Sequence, residues 1–278
     1  MPAERLMDRN GLNRVTGASI PGLWYKRRVP QDIAIVSPIY NEAVELPKFA
    51  ETLAALDPPP GEIVLVDGGS DDGSVGVAEA LGLRVIVSPQ KGRAAQINLG
   101  IDAITSKRVC VVHADTRLPP DAMEVIDGVL DDPRTSLAGF TSLLCGEKTR
   151  WVTSLHNWLK TWYAPLLFRP HLFFRGGRLL FGDHAMFFRR KDYLDVGGLD
   201  PELTVMEDAE LCEKLTTLGR VRLVPRIVRT SDRRIAEWGE LKANMIYLIV
   251  GVRWGLGLRG RLDRWYPDVR RPPLRDRR

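Results

Sequence analysis

Four short apolar runs alternate with helix-like segments between residues 33 and 112, and this alternation constrains the fold more than any other feature. Each run is apolar at successive positions, so the strand that it forms must be buried on both faces. Strands of this kind belong to parallel sheets that are covered by helices. The pattern therefore predicts an α/β fold with a mostly parallel sheet flanked by helices. The four runs are Ile33–Ser37, Ile63–Val66, Arg84–Val87 and Val109–Val112.

The second half of the chain is less regular but still yields a sequence of elements. One predicted helix carries an apolar face that is typical of core residues, although its aromatic side chains could instead form a binding platform. That face consists of Trp151, Leu155, Trp158, Leu159 and Trp162. Strands are predicted at Ala185–Arg189, Val221–Val224 and Ile227–Thr230, and further helices at Glu207–Leu218 and Ile235–Trp254.

The net charge of +5 is concentrated at the two ends of the chain. Residues 1–30 lack periodicity and carry six basic and two acidic residues, so we predict a leader there. Residues 259–278 carry eight arginines and three aspartates and form a basic tail. The tail is interpreted either as a solvated terminus or as a contact for an anionic membrane surface or a phosphate group. Residues 31–258 are predicted to form a single, slightly acidic domain, which argues against nucleic-acid binding.

The sequence also bears on the compartment. No apolar stretch reaches the roughly 18 residues of a membrane-spanning helix. The nearest, Met245–Val252, stops at Arg253 and is interpreted as a buried or interfacial helix face. The three cysteines form no C-x-x-C pair, which disfavours a disulfide framework or a structural zinc site. With no apolar signal segment at the N-terminus, we expect a cytoplasmic protein, with peripheral contact at the inner face of the membrane as a second option.

Polar and glycine-rich segments follow all four apolar runs. They are residues 37–42, 67–73, 88–93 and 113–116. The carboxyl ends of parallel strands meet at one edge of the sheet, where ligands bind in folds of this class. The sequence contains neither a G-x-G-x-x-G fingerprint nor a P-loop, so a nucleotide would have to be held in another way. These segments therefore predict a ligand site at this edge that is neither a dinucleotide-binding fingerprint nor a P-loop.

Individual side chains at this edge allow more than one interpretation. Asp67 ends a strand before a glycine turn, where its carboxylate could accept hydrogen bonds from a nucleobase or a ribose. Asp72 could act in the same way or cap the next helix. Lys91 and Arg93 offer cations beside a helix N-terminus, which favours phosphate, although the same residues could form a surface turn.

Six motifs in this order resemble the family 2 glycosyltransferases. They are Ser37-Pro-Ile-Tyr-Asn-Glu42, Val66-Asp-Gly-Gly-Ser-Asp-Asp72, Gly92-Arg-Ala-Ala-Gln-Ile-Asn98, His113-Ala-Asp-Thr116, Gly182-Asp-His-Ala-Met-Phe187 and Met206-Glu-Asp-Ala-Glu210. Within that family the chain is similar to the bacterial radical-SAM/selenodomain-associated transferase 2 group, in which an ending like Leu262-Asp-Arg-Trp-Tyr-Pro267 also recurs. The resemblance covers about residues 31–270. It implies a GT-A fold, Rossmann-like, with a nucleotide-binding half at 31–116 and an acceptor-side, catalytic half at 117–258.

The resemblance also implies an activity and its residues. It implies inverting single displacement from a UDP- or GDP-linked sugar to an acceptor hydroxyl. Asp208 would be the base, although an acid in a first helical turn can also serve only the helix dipole, an alternative that fits Glu207. Donor-sugar or acceptor contacts would come from Asp183, His184, Glu207 and Trp158. The nucleotide-sugar contacts would be Pro38, Tyr40, Glu42, Asp67, Gly68, Asp72, Lys91, Arg93, Gln96, Ala114, Asp115, Arg233 and Arg234.

The metal motif departs from the family pattern. Family members present Asp-x-Asp to a divalent ion, whereas this chain has His113 at the first position and keeps Asp115. A mixed imidazole and carboxylate site suits Mn²⁺ better than Mg²⁺. Alternatively, His113 only forms hydrogen bonds nearby and Asp115 is the sole protein ligand.

Two rival functions are weighed against sugar transfer. A nucleotidyltransferase would carry a glycine-rich loop after its first strand, but the segment 37–42 contains no glycine. A non-catalytic protein could keep the same fold and still bind a nucleotide sugar. The sequence argues against this alternative, because the carboxylates that catalysis would use are all present, at Asp67, Asp115 and Asp208.

Overall fold

The predicted strand–helix alternation forms one mixed sheet. The computed structural model describes residues 32–203 and 205–258. Within these ranges the strands are β1 Ile33–Ile39, β2 Glu62–Asp67, β3 Val85–Val87, β4 Arg108–Val111, β5 Thr116–Arg117, β6 Thr135–Cys145, β7 Phe187–Arg189 and β8 Arg220–Ser231. The helices are α1 Leu46–Ala54, α2 Ser74–Ala80, α3 Arg93–Asp102, α4 Ala122–Leu130, α5 Trp151–Phe168, α6 Pro170–Phe174, α7 Arg190–Asp195, α8 Glu207–Leu215, α9 Arg233–Trp238 and α10 Glu240–Gly255.

The strand order is β3-β2-β1-β4-β7-β6-β8-β5. The first four strands are parallel, β7 runs antiparallel to both β4 and β6, and β8 pairs parallel with β6 and antiparallel with β5. The prediction of a mostly parallel α/β sheet is therefore confirmed. One sheet runs through both of the proposed halves of the domain.

The central parallel strands β1 and β4 are buried on both faces, as their apolar runs require. In β1, Ile33, Ile35 and Ile39 pack on one side, against α1, α2 and α4. Ala34 and Val36 lie on the other side, which α3 and α8 cover. Side chains of consecutive strand residues point to opposite faces, so a strand between two helical layers must be apolar throughout.

Three expectations for the second half need correction. The strands predicted at Val221–Val224 and Ile227–Thr230 are one strand, β8, which contains an irregularity at Pro225 and Arg226 where its register with β6 shifts. Proline lacks the amide proton that a regular ladder requires. The helix predicted at Ile235–Trp254 is two helices that are separated at Gly239, where φ is 80°. The Met245–Val252 segment is buried only in part, since Met245 and Leu248 are exposed and Val250 is buried.

Two of the predicted segments, the leader at 1–30 and the basic tail at 259–278, lie outside the described residues. No helix within 32–203 and 205–258 has the length and apolarity needed to cross a membrane.

Close packing of α3 on the sheet leads to a stability prediction for Gly100. A Cβ at this position would lie 2.4 Å from Val36 Cγ1 and 3.0 Å from Val66 Cγ2. Gly100→Ala should therefore lower the free energy of unfolding by about 1–3 kcal/mol, because overpacking outweighs the gain in helix propensity. Gly76 in α2 is the matched control: a Cβ there meets nothing within 4 Å, so Gly76→Ala should stabilise the protein slightly. Urea unfolding measures both, and equal stability of the two variants would contradict the packing argument.

Candidate active site

A cavity of about 380 Å³ lies at the carboxyl edge of the parallel strands, beneath α5 and α10. The structure brings together at this cavity predicted site residues that lie far apart in the sequence. The predicted site residues among its lining are Pro38, Glu42, Arg93, His113, Asp115, Asp183, Asp208, Arg233 and Arg234. The other predicted site residues lie around it or away from it.

Arg233 joins three parts of the chain at this cavity. Its Nη2 atom lies 2.9 Å from Glu42 Oε1 and 3.1 Å from Asp115 Oδ2. Partial burial disfavours a charged guanidinium, but the hydrogen bond and charge of Glu42, with the charge of Asp115, raise the pKa of Arg233. The cation is therefore fixed between two carboxylates at the ends of β1 and β4.

Asp67 and Asp72 shape the loops of the nucleotide-binding edge. The Oδ2 atom of Asp67 accepts hydrogen bonds from the amides of Gly69 and Ser70, at 2.9 and 3.0 Å. Asp72 accepts from the amides of Ala43 and Ser74, both at 2.9 Å, and so ties the β1 and β2 loops together. Burial works against ionisation of Asp72, yet a hydrogen bond from the Ser74 hydroxyl and those from the two amides hold its pKa below the usual range. Both carboxylates thus have a structural role in the loops.

Gln96 also serves to join strand ends. It is buried, and its Nε2 atom donates to the carbonyls of Ile39 and Val66, at 2.8 and 2.6 Å. A Cβ on Gly68 would lie 3.0 Å from this nitrogen, so glycine permits the close approach. These contacts place Gln96 behind the loop, as a positioning residue.

The remaining residues predicted on the nucleotide side occupy the surrounding loops. Tyr40 is half-buried at the end of β1, and Lys91 is exposed in the turn before α3. Ala114 is buried, and its carbonyl accepts a hydrogen bond from Arg117 Nη1 at 2.7 Å.

Asp208 is the second residue of α8 and lines the cavity. Its Oδ2 atom accepts a hydrogen bond from the amide of Gly182 at 2.8 Å, which fixes the carboxylate. Burial, together with the neighbouring charge of Glu207, raises the pKa of Asp208 to about 7, although Arg93 and the backbone donors oppose the shift. A carboxyl group with this pKa exchanges protons near neutral pH, which suits a general base.

Glu207 has a different environment from its neighbour. Its carboxylate forms an ion pair with Arg93, with 2.8 Å between Oε1 and Nε, and it is buried. The pair connects the start of α3 to the start of α8. Glu207 therefore positions Arg93.

Asp183 is held firmly at the cavity. Its Oδ2 atom accepts hydrogen bonds from Ser142 Oγ at 2.7 Å and Asn157 Nδ2 at 2.6 Å. Burial would raise the pKa of Asp183, but the charges of His184 and Lys160 and the bond from Ser142 lower it. Asp183 therefore remains ionised and presents a fixed negative charge.

The expected sugar contact from His184 is not supported. The ring is buried, with Nδ1 2.8 Å from the Phe140 carbonyl and Nε2 3.9 Å from Asp183 Oδ1. Burial lowers the pKa of His184, against the opposing charge of Asp183. It lies behind Asp183, outside the cavity lining.

The expectation that Trp158 is a core residue is wrong, and its expected contact with the acceptor or donor sugar stays a prediction. It lies neither at the cavity nor in the core but on the outer side of α5, 40% exposed, with its ring 6.1 Å from that of Trp162. The opposite side of α5 contacts the core and the cavity. Helical spacing identifies residues that share a face, but it does not say which face meets the rest of the protein.

Lys160 is a cavity residue that sequence reasoning missed. Its ammonium lies 3.6 Å above the centroid of the Phe181 ring, and burial lowers its pKa against the opposing charges of Asp183 and Asp208. A signal existed in the sequence, because Thr153, His156, Asn157 and Lys160 form a polar stripe at helical spacing along α5. The aromatic face of the same helix is the stronger pattern in the sequence, and it points away from the cavity.

The groups available for a metal ion are few. Within the described ranges no cluster of three or more His, Cys, Asp or Glu side chains could hold one. Asp115 and His113 both line the cavity, and a Cβ on Gly182 would lie 2.5 Å from His113 Nε2. One carboxylate and one imidazole are a suitable donor set for Mn²⁺ when substrate phosphates supply the remaining oxygens. The residues therefore fit a metal completed by its ligand, not a preformed cage.

Comparison with known proteins identifies the family. The model of Glycosyl transferase family 2 matches residues 34–198. The pre-mycofactocin glycosyltransferase of Mycobacterium tuberculosis is 29% identical over 227 residues, which cover 77% of this chain and 46% of that protein. The chain thus spans about half the length of this curated relative. The relative also gives partial support to the narrower resemblance to the radical-SAM/selenodomain-associated group.

Several solved structures are similar in fold, among them two in complex with a nucleotide sugar and Mn²⁺. The mannosyltransferase of Pyrobaculum calidifontis, in complex with GDP-Man and Mn²⁺, has a TM-score of 0.60 at 17% identity, covering 79% of this chain and 62% of that one. Glucosyl-3-phosphoglycerate synthase of Mycobacterium tuberculosis, in complex with Mn²⁺, UDP-glucose and phosphoglyceric acid, has a TM-score of 0.54 at 18% identity, covering 85% and 81%. From the family match and these similarities, we conclude that the chain belongs to glycosyltransferase family 2 and has the GT-A fold.

Proposed function

We propose that this protein transfers a sugar from a UDP- or GDP-linked donor to an acceptor hydroxyl, with inversion in a single displacement. One observation carries the proposal. A buried carboxylate with a pKa near neutrality, Asp208, shares a cavity with the cationic group of Arg233. Inverting transfer requires a base for the acceptor and a charged environment for the departing diphosphate.

The donor would bind at the edge formed by the β1, β2 and β4 loops. Arg233, Arg234 and Arg93 line this side of the cavity and supply positive charge for the diphosphate. Asp115, with His113, would hold a divalent metal, for which we favour Mn²⁺. When bound, the metal would neutralise charge on the leaving diphosphate.

Asp208 would carry out the proton transfer. The acceptor oxygen attacks the anomeric carbon and loses its proton to the carboxylate, while the bond between that carbon and the diphosphate oxygen breaks. The Gly182 amide holds the carboxylate in place throughout. Asp183, which stays ionised, would contact the donor sugar or the acceptor.

The acceptor side of the cavity is mostly apolar. Its walls include Tyr163, Phe168 and Phe181, with Val250 and Trp254 of α10. The Lys160 ammonium lies against these walls, 3.6 Å from the Phe181 ring centroid and 5.8 Å from that of Tyr247. We propose that the acceptor combines an apolar body with the reacting hydroxyl, because water-excluding walls favour such a molecule.

The cellular setting is part of the proposal. Cys110, Cys145 and Cys212 are free thiols, which supports a reducing compartment such as the cytoplasm.

A panel of nucleoside diphosphates tests the donor assignment. UDP, GDP, CDP and dTDP are each added with and without Mn²⁺, and thermal unfolding is followed. We expect one base to raise the melting temperature most and to need Mn²⁺, because a ligand at about 100 times its Kd stabilises by about 2.7 kcal/mol. The matching nucleoside without phosphates is the control. No shift with any diphosphate would contradict the proposal, and binding without donor hydrolysis or transfer would favour the non-catalytic alternative.

A further inference from the structure

The outer side of α5 carries large apolar side chains that the protein leaves uncovered. We call this surface the α5 face; its members are Trp151, Leu155, Trp158, Leu159 and Trp162. Trp151 is 69% exposed and Leu155 57%, whereas large apolar residues of this kind are usually buried. Contiguous exposed apolar patches of this kind mark surfaces for binding a partner or a membrane.

The apolar surface continues beyond these five residues. Leu166 and Leu167 extend it along α5, and Phe174 of the neighbouring α6 is 80% exposed. Helix α10, which packs against α5, adds exposed Leu241, Met245 and Leu248. Leu167 and Leu248 also line the cavity, so the surface borders its mouth.

The charges along α5 and α6 are of one sign in the sequence. No aspartate or glutamate occurs between Glu147 and Asp183, whereas the segment contains six lysines and arginines. Three of these cations are engaged elsewhere: Arg150 and Arg169 form ion pairs with acidic residues of other elements, and Lys160 lines the cavity. Lys148 before α5 and Arg175 after α6 are exposed, and the Arg178 guanidinium lies 4.6 Å from the centroid of the Trp162 ring. The apolar surface is therefore flanked by cations at both ends.

This charge decides which partner the surface fits. A second copy of the chain in a two-fold dimer would place the same patch opposite itself and bring like charges together. An anionic lipid surface offers opposite charges to the cations and an apolar layer to the tryptophans and leucines. Helices that lie in a membrane interface combine Trp, Phe and Leu on the buried side with flanking Lys and Arg.

We propose that the α5 face, together with Phe174, binds an anionic membrane surface. The protein would then lie on the bilayer with the cavity mouth near the lipid. This inference does not depend on sugar transfer, because vesicle binding requires neither donor nor acceptor.

Vesicle co-sedimentation of the full chain tests the proposal. Vesicles of phosphatidylcholine alone are compared with vesicles that also contain phosphatidylglycerol, at low and high salt. We expect binding to the anionic vesicles at low salt and weaker binding at high salt. Leu159→Glu should lower the affinity for anionic vesicles by about tenfold or more, because it removes apolar contact and adds a repelled charge.

Leu194→Glu is the matched control. Leu194 in α7 is 44% exposed, as is Leu159, but it lies outside the α5 face. Leu159→Glu and Leu194→Glu should both melt at the temperature of the parent. Leu155→Glu is a second substitution within the α5 face and should lower vesicle binding as Leu159→Glu does. Equal vesicle binding by Leu159→Glu and Leu194→Glu would overturn the proposal and favour the arginines of residues 259–278. The proposal would also be overturned if the parent did not bind vesicles but formed a dimer that Leu159→Glu dissociates.

Discussion

Asp208→Asn is expected to lower sugar transfer by about 10²–10⁴-fold, which corresponds to roughly 3–5 kcal/mol of activation barrier. Asparagine keeps the volume of the side chain and can still accept the hydrogen bond from the Gly182 amide. It cannot take a proton from the acceptor. Because the base acts on the acceptor, affinity for the nucleotide sugar should change little. Initial rates of transfer and nucleotide titrations measure the two effects separately.

Two controls sharpen this test. Glu207→Gln removes the adjacent carboxylate, which pairs with Arg93, and should cost less in transfer than Asp208→Asn. A structural role for Asp208 would leave the asparagine variant active, since asparagine serves a helix start about as well as aspartate. Full transfer by Asp208→Asn would refute the base assignment and would point to Glu207 or Asp183.

The pH dependence follows from the same carboxyl group. With a pKa of about 7, Asp208 is protonated in mildly acidic solution, so transfer should rise as the pH passes through about 7. In the folded state the pKa of Asp208 lies above its ordinary value of 3.8. The protonated side chain therefore contributes to stability fully at pH values below 3.8, and this contribution is lost as the pH rises through about 7. Asp208→Asn should therefore melt no lower than the parent in mildly alkaline buffer. If Asp208→Asn melted at a lower temperature than the parent in mildly alkaline buffer, burial of the ionised Asp208 carboxylate could not be destabilising, and the raised pKa would be contradicted.

Asp115→Ala is expected to abolish the dependence of nucleotide binding on Mn²⁺. Removing a group that only hydrogen-bonds to a metal ligand typically lowers the affinity for the metal by about 10–100-fold. Removing the ligand Asp115 itself should lower the affinity for Mn²⁺ by more than that. The fold should persist, because the carboxylate is partly exposed at the cavity and Arg233 keeps its contact with Glu42. Isothermal titration of the cognate nucleotide, with and without Mn²⁺, measures the effect.

The matched control for this change is Asp71→Ala. Asp71 is an exposed acid at the same edge of the sheet and does not line the cavity. Its removal should leave nucleotide binding and the Mn²⁺ dependence unchanged. If Asp115→Ala bound nucleotide and Mn²⁺ as tightly as the parent, the metal assignment would be wrong.

The sequence alone determined the parallel half of the sheet and the edge at which the cavity lies. Strand burial and helical spacing are local patterns, so β1, β2, β3 and β4 could be predicted from the apolar runs. Strand ends in such a sheet converge, which is why Asp115 could be assigned to the cavity before the structure was known. The position of Asp208 at the start of a helix was readable in the same way.

Only the tertiary structure showed which distant groups meet and which faces are covered. Arg233 contacts Glu42 across 191 positions of sequence, and no local pattern encodes such a pairing. Trp158 and Lys160 occupy one helix, yet one faces solvent and the other the cavity, because the packing of α5 on its neighbours selects the buried side. The pKa of Asp208 likewise depends on burial and on Glu207 and Arg93. Burial and electrostatics are properties of proximity in space, which the folded chain alone establishes.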